Sequence, residues 1–135
     1  MAVRWEQELV ARPDALAHAR HGVRELLAGP PEVAAGIVND VQLAITEALA
    51  NAIVHAYRGI DEGRIACQAV RARGKLIVSV RDFGRGMQPR SDSPGLGMGV
   101  PIMSALTESV VFERCDPGTH VTLTFAVDPR GAAGD

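Results

Sequence analysis

The chain reads as an α+β fold, a two-layer sandwich in which a mixed, mostly antiparallel sheet carries about three helices on one face. Three observations predict it. Apolar and polar residues alternate along five short segments, while other stretches repeat their apolar residues at helical spacing. The order β-α-α-β-β-α-β-β joins neighbouring strands by short turns, which favours antiparallel pairing with helices on one side. The chain has 135 residues, 47% of them apolar and 22% charged, enough for one domain with a core of its own. The domain is expected over residues 1–127, with a flexible tail over 128–135.

The elements follow in order. Val3 to Leu9 alternates as an edge strand does, and Trp5 is expected to pack there. Asp14 reads as a helix N-cap after Pro13. Leu16, Ala19, Val23 and Leu26 then repeat at helical spacing until Gly29-Pro30-Pro31 stops the helix. A second helix is expected from about Glu32 to Tyr57, with Ile37, Val38, Val41, Ala44, Ile45, Ala48 and Ala52 on one face. Ile65, Cys67 and Ala69 mark one strand and Leu76, Val78 and Val80 the next, with Arg73-Gly74 as the hairpin turn between them. Pro101 opens a short helix reaching about Thr107. Ser109–Arg114 and His120–Val127 are the last two strands.

Composition excludes several classes of function. Fourteen basic against sixteen acidic side chains give a net charge of −2, so no direct nucleic-acid contact is expected; phosphate neutralisation needs a basic excess. Two cysteines, Cys67 and Cys115, form neither a disulfide framework nor a zinc site and are expected as reduced, buried thiols. His18 and His21 lie roughly opposite the apolar stripe of the first helix and are expected in solvent. No basic-then-apolar leader and no apolar run of about 18 residues is present. The expectation is therefore cytoplasmic, without a membrane.

On the second helix, Asp40, Glu47 and Asn51 fall on one stripe beside the apolar face. Glu47 and Asn51 are four residues apart, about 5–6 Å at Cβ, so a carboxylate and an amide can address one ligand; an ordinary solvated face is the other reading. Their neighbours Ala44, Ala48, Ala50 and Ala52 leave room for something bulky. His55 stands one turn on, either ordering this stripe or sitting as a core-edge histidine. Five of the fourteen glycines, Gly84, Gly86, Gly95, Gly97 and Gly99, fall in two clusters. Such density points to unusual backbone angles or close approach to a ligand. Free N–H groups at Gly97 and Gly99, just before a helix start, suit an anion. Neither a Walker P-loop nor a Rossmann fingerprint fits the spacing.

These pieces together resemble one family. Glu47-Ala48-Leu49-Ala50-Asn51-Ala52-Ile53-Val54-His55-Ala56-Tyr57 is similar to the N-box of the GHKL (Bergerat-fold) ATP-binding superfamily. Asp82-Phe83-Gly84-Arg85-Gly86 is similar to its D-x-G-x-G box, and the run from Gly95 to Met103 to its second glycine box. The form of the N-box on a small domain most resembles the anti-sigma-factor serine/threonine kinases, over roughly residues 3–127. The resemblance implies the Bergerat (histidine-kinase-like ATPase) fold and ATP with Mg²⁺ as cofactors. It implies Asn51 as Mg²⁺ ligand and Glu47 as catalytic base. Asp82 would accept from the adenine amino group, with Gly84 and Gly86 letting the backbone pass close to the base. Gly95, Gly97 and Gly99 would hold the phosphates. Thr119 would reach adenine through water, or is simply a β-former opening a strand.

The implied function is an anti-sigma factor that sequesters a sigma factor and phosphorylates an anti-anti-sigma partner, acting as a homodimer in the cytoplasm. The segment Met87–Pro94 between the glycine boxes is short, and Ser93-Pro94-Gly95-Leu96 lacks the arginine that some of these kinases place there. A non-catalytic regulatory binding module of the same fold is therefore the alternative expectation.

Overall fold

Alternation becomes sheet wherever one face of a strand can be covered. The computed structural model describes residues 2–56, 63–84 and 101–127, and within them five strands form one sheet. They are β1 (Val3–Val10), β2 (Arg64–Ala72), β3 (Lys75–Asp82), β4 (Ser109–Arg114) and β5 (Thr119–Ala126). Their order is β1-β2-β3-β5-β4, and every pairing is antiparallel, so among the described residues the sheet has no parallel neighbours. The three interior strands, β2, β3 and β5, alternate regularly. On β3, Leu76, Val78, Val80 and Asp82 are buried, and on β5, Thr119, Val121, Leu123 and Phe125. Ile65, Cys67 and Ala69 of β2 continue that buried face.

The hairpin between β2 and β3 turns at Arg73 and Gly74, both at positive φ (54° and 76°). That combination matches the two-residue turn whose twist suits antiparallel strands. Gly74 also accepts a 3.0 Å hydrogen bond from the Val127 N–H, which ties the end of β5 to the turn.

Two helices cover one face. Helix α1 (Asp14–Ala28) buries Ala15, Ala19, Gly22, Val23, Leu26 and Leu27. Its N-cap is Pro13, without a side-chain capping bond, which corrects the expectation for Asp14. Asp14 lies instead inside the first turn, where its carboxylate still complements the positive end of the helix dipole. Helix α2 (Ala35–Asn51) begins later than expected, because residues 32–34 are outside the helix, with Ala34 extended and Val33 in the core. It buries Val41, Ala44, Ile45, Ala48 and Leu49. With its continuation it spans Ala35–Val54 at a mean hydropathy of 1.3, long and apolar enough to cross a membrane by composition. That apolarity serves the sheet against which α2 packs.

A short helix over 101–106 places Met103 fully inside the core. Ile45, Leu49, Ile65, Leu76 and Leu123 are also fully buried, each contributing about 1.5–3 kcal/mol through apolar burial. Trp5 of β1 lies against α1, with its indole over Gly22. His18 and His21 are exposed, as expected. Cys67 is buried, whereas Cys115 is only half-buried. The second thiol departs from expectation because it opens the turn between β4 and β5 and lies outside the strand.

Candidate functional site

The site grows from the end of β3. Leu76, Val78 and Val80 set an inward-facing parity that Asp82 inherits, so a carboxylate takes the place of a core aliphatic and is 1% exposed. Two backbone donors meet it. Oδ1 accepts from the Gly84 N–H at 3.2 Å and from the Thr119 N–H at 3.3 Å. Burial raises the Asp82 pKa above the ordinary carboxylate range, while these two donors and the Arg81 charge pull the other way.

Thr119 lies opposite Asp82 in the β3–β5 register and is itself buried. Its N–H can reach the carboxylate because of the residue before it. Gly118 has φ +94°, and a Cβ built there would stand 1.9 Å from the Asp82 carbonyl oxygen. Only glycine allows that approach. The turn is closed by the Cys115 N–H on the Gly118 carbonyl at 2.8 Å. From outside, Arg81 holds the same corner. Its Nε donates to the Asp82 carbonyl at 3.2 Å and its Nη2 to the Pro117 carbonyl at 2.9 Å. The guanidinium carbon lies 4.7 Å from the centre of the Phe83 ring.

Helix α2, which packs against β3, carries the remaining described candidates. Asn51 is 4% exposed, and its amide nitrogen has no hydrogen-bond partner among the described residues. A buried amide with an open end costs stability unless something binds there. The two ends of an amide are isosteric, so this end offers a donor to an anionic oxygen or, rotated, an oxygen to a hard cation. Glu47, one turn earlier, is half-buried, whereas Asp40 is exposed. From Ala52 to Ala56 the helix widens into a π-turn, which packs against β3. The regular wheel drawn through Tyr57 therefore ends at Asn51. Such wider turns recur at functional sites.

Glu47 and Asn51 thus lie on α2, which packs against β3, while Asp82 and Thr119 pair at the ends of β3 and β5, with Gly84 just beyond β3. The side chain of His55, together with Gly86, Gly95, Gly97 and Gly99, lies outside the described residues. Gly84 has a definite place: its N–H helps to hold Asp82. Sequence reasoning missed Gly118 and Arg81. The pair Pro117-Gly118 before a strand was a turn signal available in the sequence; nothing local marked Arg81. Among the described residues, no group of three or more His, Cys, Asp or Glu side chains could hold a metal. A cation here would use the Asn51 oxygen together with oxygens of its own ligand and water.

Residues 9–125 match the family described as the histidine kinase-like ATPase domain. The chain belongs to that family. Among relatives of this ATPase domain, the anti-sigma F factor of Clostridium botulinum (strain Eklund 17B / Type B) is 28% identical over 98 residues. That match covers 64% of this chain and 68% of the relative. The serine-protein kinase RsbW of Listeria monocytogenes serotype 4a (strain HCC23) is 36% identical over 47 residues, 35% of this chain and 30% of the kinase. A crystal structure of the RsbU and RsbW domains of a Mycobacterium tuberculosis protein superposes with a TM-score of 0.70 at 28% identity. It covers 93% of this chain, which spans 32% of that longer one. A histidine kinase domain from the Erythrobacter litoralis blue-light activated histidine kinase shares the fold, with a TM-score of 0.62 at 22% identity.

Proposed function

We propose that this ATPase domain is an anti-sigma factor with ATP-dependent serine/threonine kinase activity. It would hold a sigma factor and phosphorylate an anti-anti-sigma partner, as a homodimer in the cytoplasm. The observation that carries the reading is the buried Asp82 carboxylate at the end of β3, the strand against which the helix carrying Glu47 and Asn51 packs. Relatives named anti-sigma F factor and serine-protein kinase support it.

In this reading Asp82 accepts from the adenine amino group, Thr119 lies at the base end, and Gly84 and Gly86 let the base approach. Gly95, Gly97 and Gly99 offer N–H groups to the phosphates. Asn51 would be the protein's ligand to Mg²⁺, which would neutralise phosphate charge. Glu47 accepts the proton of a partner serine as its oxygen bonds to the γ-phosphorus and the bond to the β–γ bridging oxygen breaks, releasing ADP. A non-catalytic binding module is the second reading, favoured by the absence of arginine from Ser93-Pro94-Gly95-Leu96.

Incubation with γ-labelled ATP, Mg²⁺ and candidate anti-anti-sigma proteins separates the two. Transfer to a partner serine is expected, and Glu47→Ala should abolish it while still binding ATP. Binding of ATP without any transfer by the native chain would sink the kinase reading in favour of the second.

A further inference from the structure

We propose that Arg81 is a positioning residue for base recognition, fastening the end of β3 to the turn before β5 so that the Asp82 carboxylate is presented at a fixed angle. The proposal rests on the reading of Asp82 as the adenine acceptor. Arg81 is the outward-facing neighbour of Asp82, and in the ladder it stands opposite His120. A side chain there has no reason to reach the nucleotide end of the sheet, yet its guanidinium turns along the strand to that end.

Its two donors link two segments. Nε meets the carbonyl of Asp82 itself, and Nη2 meets Pro117. The Asp82 peptide is therefore bounded by the Arg81 guanidinium and by Gly118, which no side chain could replace at that approach. Both backbone donors to the carboxylate come from the segments so tied: Gly84 follows Asp82, and Thr119 follows the turn. Contact with the Phe83 ring adds a third restraint on the guanidinium, an attraction that is strongest where water is partly excluded. An arginine fork suits the task, since a lysine ammonium cannot reproduce two donors of fixed relative geometry. Arg81 touches no ligand in this account and acts only through Asp82.

The test is a double-mutant cycle on the full chain, read by calorimetric titration with ADP, ATP and GTP. Arg81→Ala is expected to weaken ADP and ATP alike, by about tenfold or more, and to reduce the preference for ATP over GTP by the same factor. In an Asp82→Ala background, Arg81→Ala should add nothing, because the group it positions is gone. Arg81→Lys should fall between the native chain and Arg81→Ala, and it serves as the probe should the alanine variant not fold. An affinity within twofold of the native chain, or a full additional loss on top of Asp82→Ala, overturns the positioning role. Native-like binding by Asp82→Ala alone overturns the adenine reading beneath it, and is told apart because it leaves no Asp82 effect for Arg81 to share.

Discussion

At the scale of single residues, Asp82 carries the tension of this fold. A carboxylate in line with Leu76, Val78 and Val80 loses its hydration, and two backbone N–H groups and Arg81 offset only part of that cost. Its folded-state pKa therefore lies above the unfolded value of about 3.9. The folded chain then binds a proton at Asp82 over a range where the unfolded chain has released it. Stability should fall as pH rises through that range and level off above it. Asp82→Asn keeps an oxygen for Gly84 and Thr119, removes the titration, and should flatten this part of the stability profile measured by urea unfolding between pH 4 and 8. A variant whose profile parallels the native one would contradict the assignment. Under the proposed adenine contact, the same substitution puts an amide donor where the base needs an acceptor, so ATP binding should be lost while stability rises. The thiols offer a second check. Burial pushes Cys67 up to about 12, whereas Cys115 is half-buried in its turn. One equivalent of thiol reagent should react with the native chain and a second only on unfolding.

At the scale of elements, helix α1 is held to the sheet by two unlike means. Helix α1 has no basic residue in its last turn, and Arg71 of β2 supplies the missing charge. Its guanidinium donates to the carbonyls of Leu26 at 3.2 Å and Gly29 at 2.7 Å, and to that of Pro31. Arg71→Met leaves those carbonyls short of a donor at a buried helix end and should cost roughly 2–3 kcal/mol, read as a lower urea midpoint. Trp5 and Gly22 make the second seam. A Cβ at Gly22 would stand 2.2 Å from the indole. Gly22→Ala should therefore destabilise by about 1–3 kcal/mol through overpacking, even though alanine favours a helix by about 1 kcal/mol. Trp5→Leu should relieve much of that penalty. If Gly22→Ala proved stabilising, the seam would be looser than the geometry requires.

For the whole molecule, the core and the site share one sheet. Val80 and Val121 sit at the heart of the core, each two residues along its strand from Asp82 or Thr119, so ligand at the strand ends should brace the entire fold. ATP with Mg²⁺ at about 100 times its Kd should add about 2.7 kcal/mol to stability, seen as a rise in melting temperature. Asn51→Ala should remove the part of that gain that depends on Mg²⁺.

Strands, turns and helix faces were legible in the sequence because their causes are local. Alternation along Val121, Leu123, Phe125 and Val127 needs only one covered face, and Arg73-Gly74 needs only its own two dihedral angles. The family was legible from Glu47-Ala48-Leu49-Ala50-Asn51, Asp82-Phe83-Gly84 and the later glycines, since such residue types at such spacing have few other uses. What no local pattern contained were contacts between distant segments. Arg71 under α1, Gly22 beneath Trp5, Gly118 against Asp82 and Arg81 across to Pro117 each join residues more than fifteen positions apart in the chain. The start of α2 and its π-turn belong with them, because packing of Val33 and of the helix end on β3 overrides what propensity alone suggests. The sequence by itself determined the fold class and the candidate chemical groups; the tertiary structure decided how each group is held, because close approach and burial exist only once the sheet has closed against its helices.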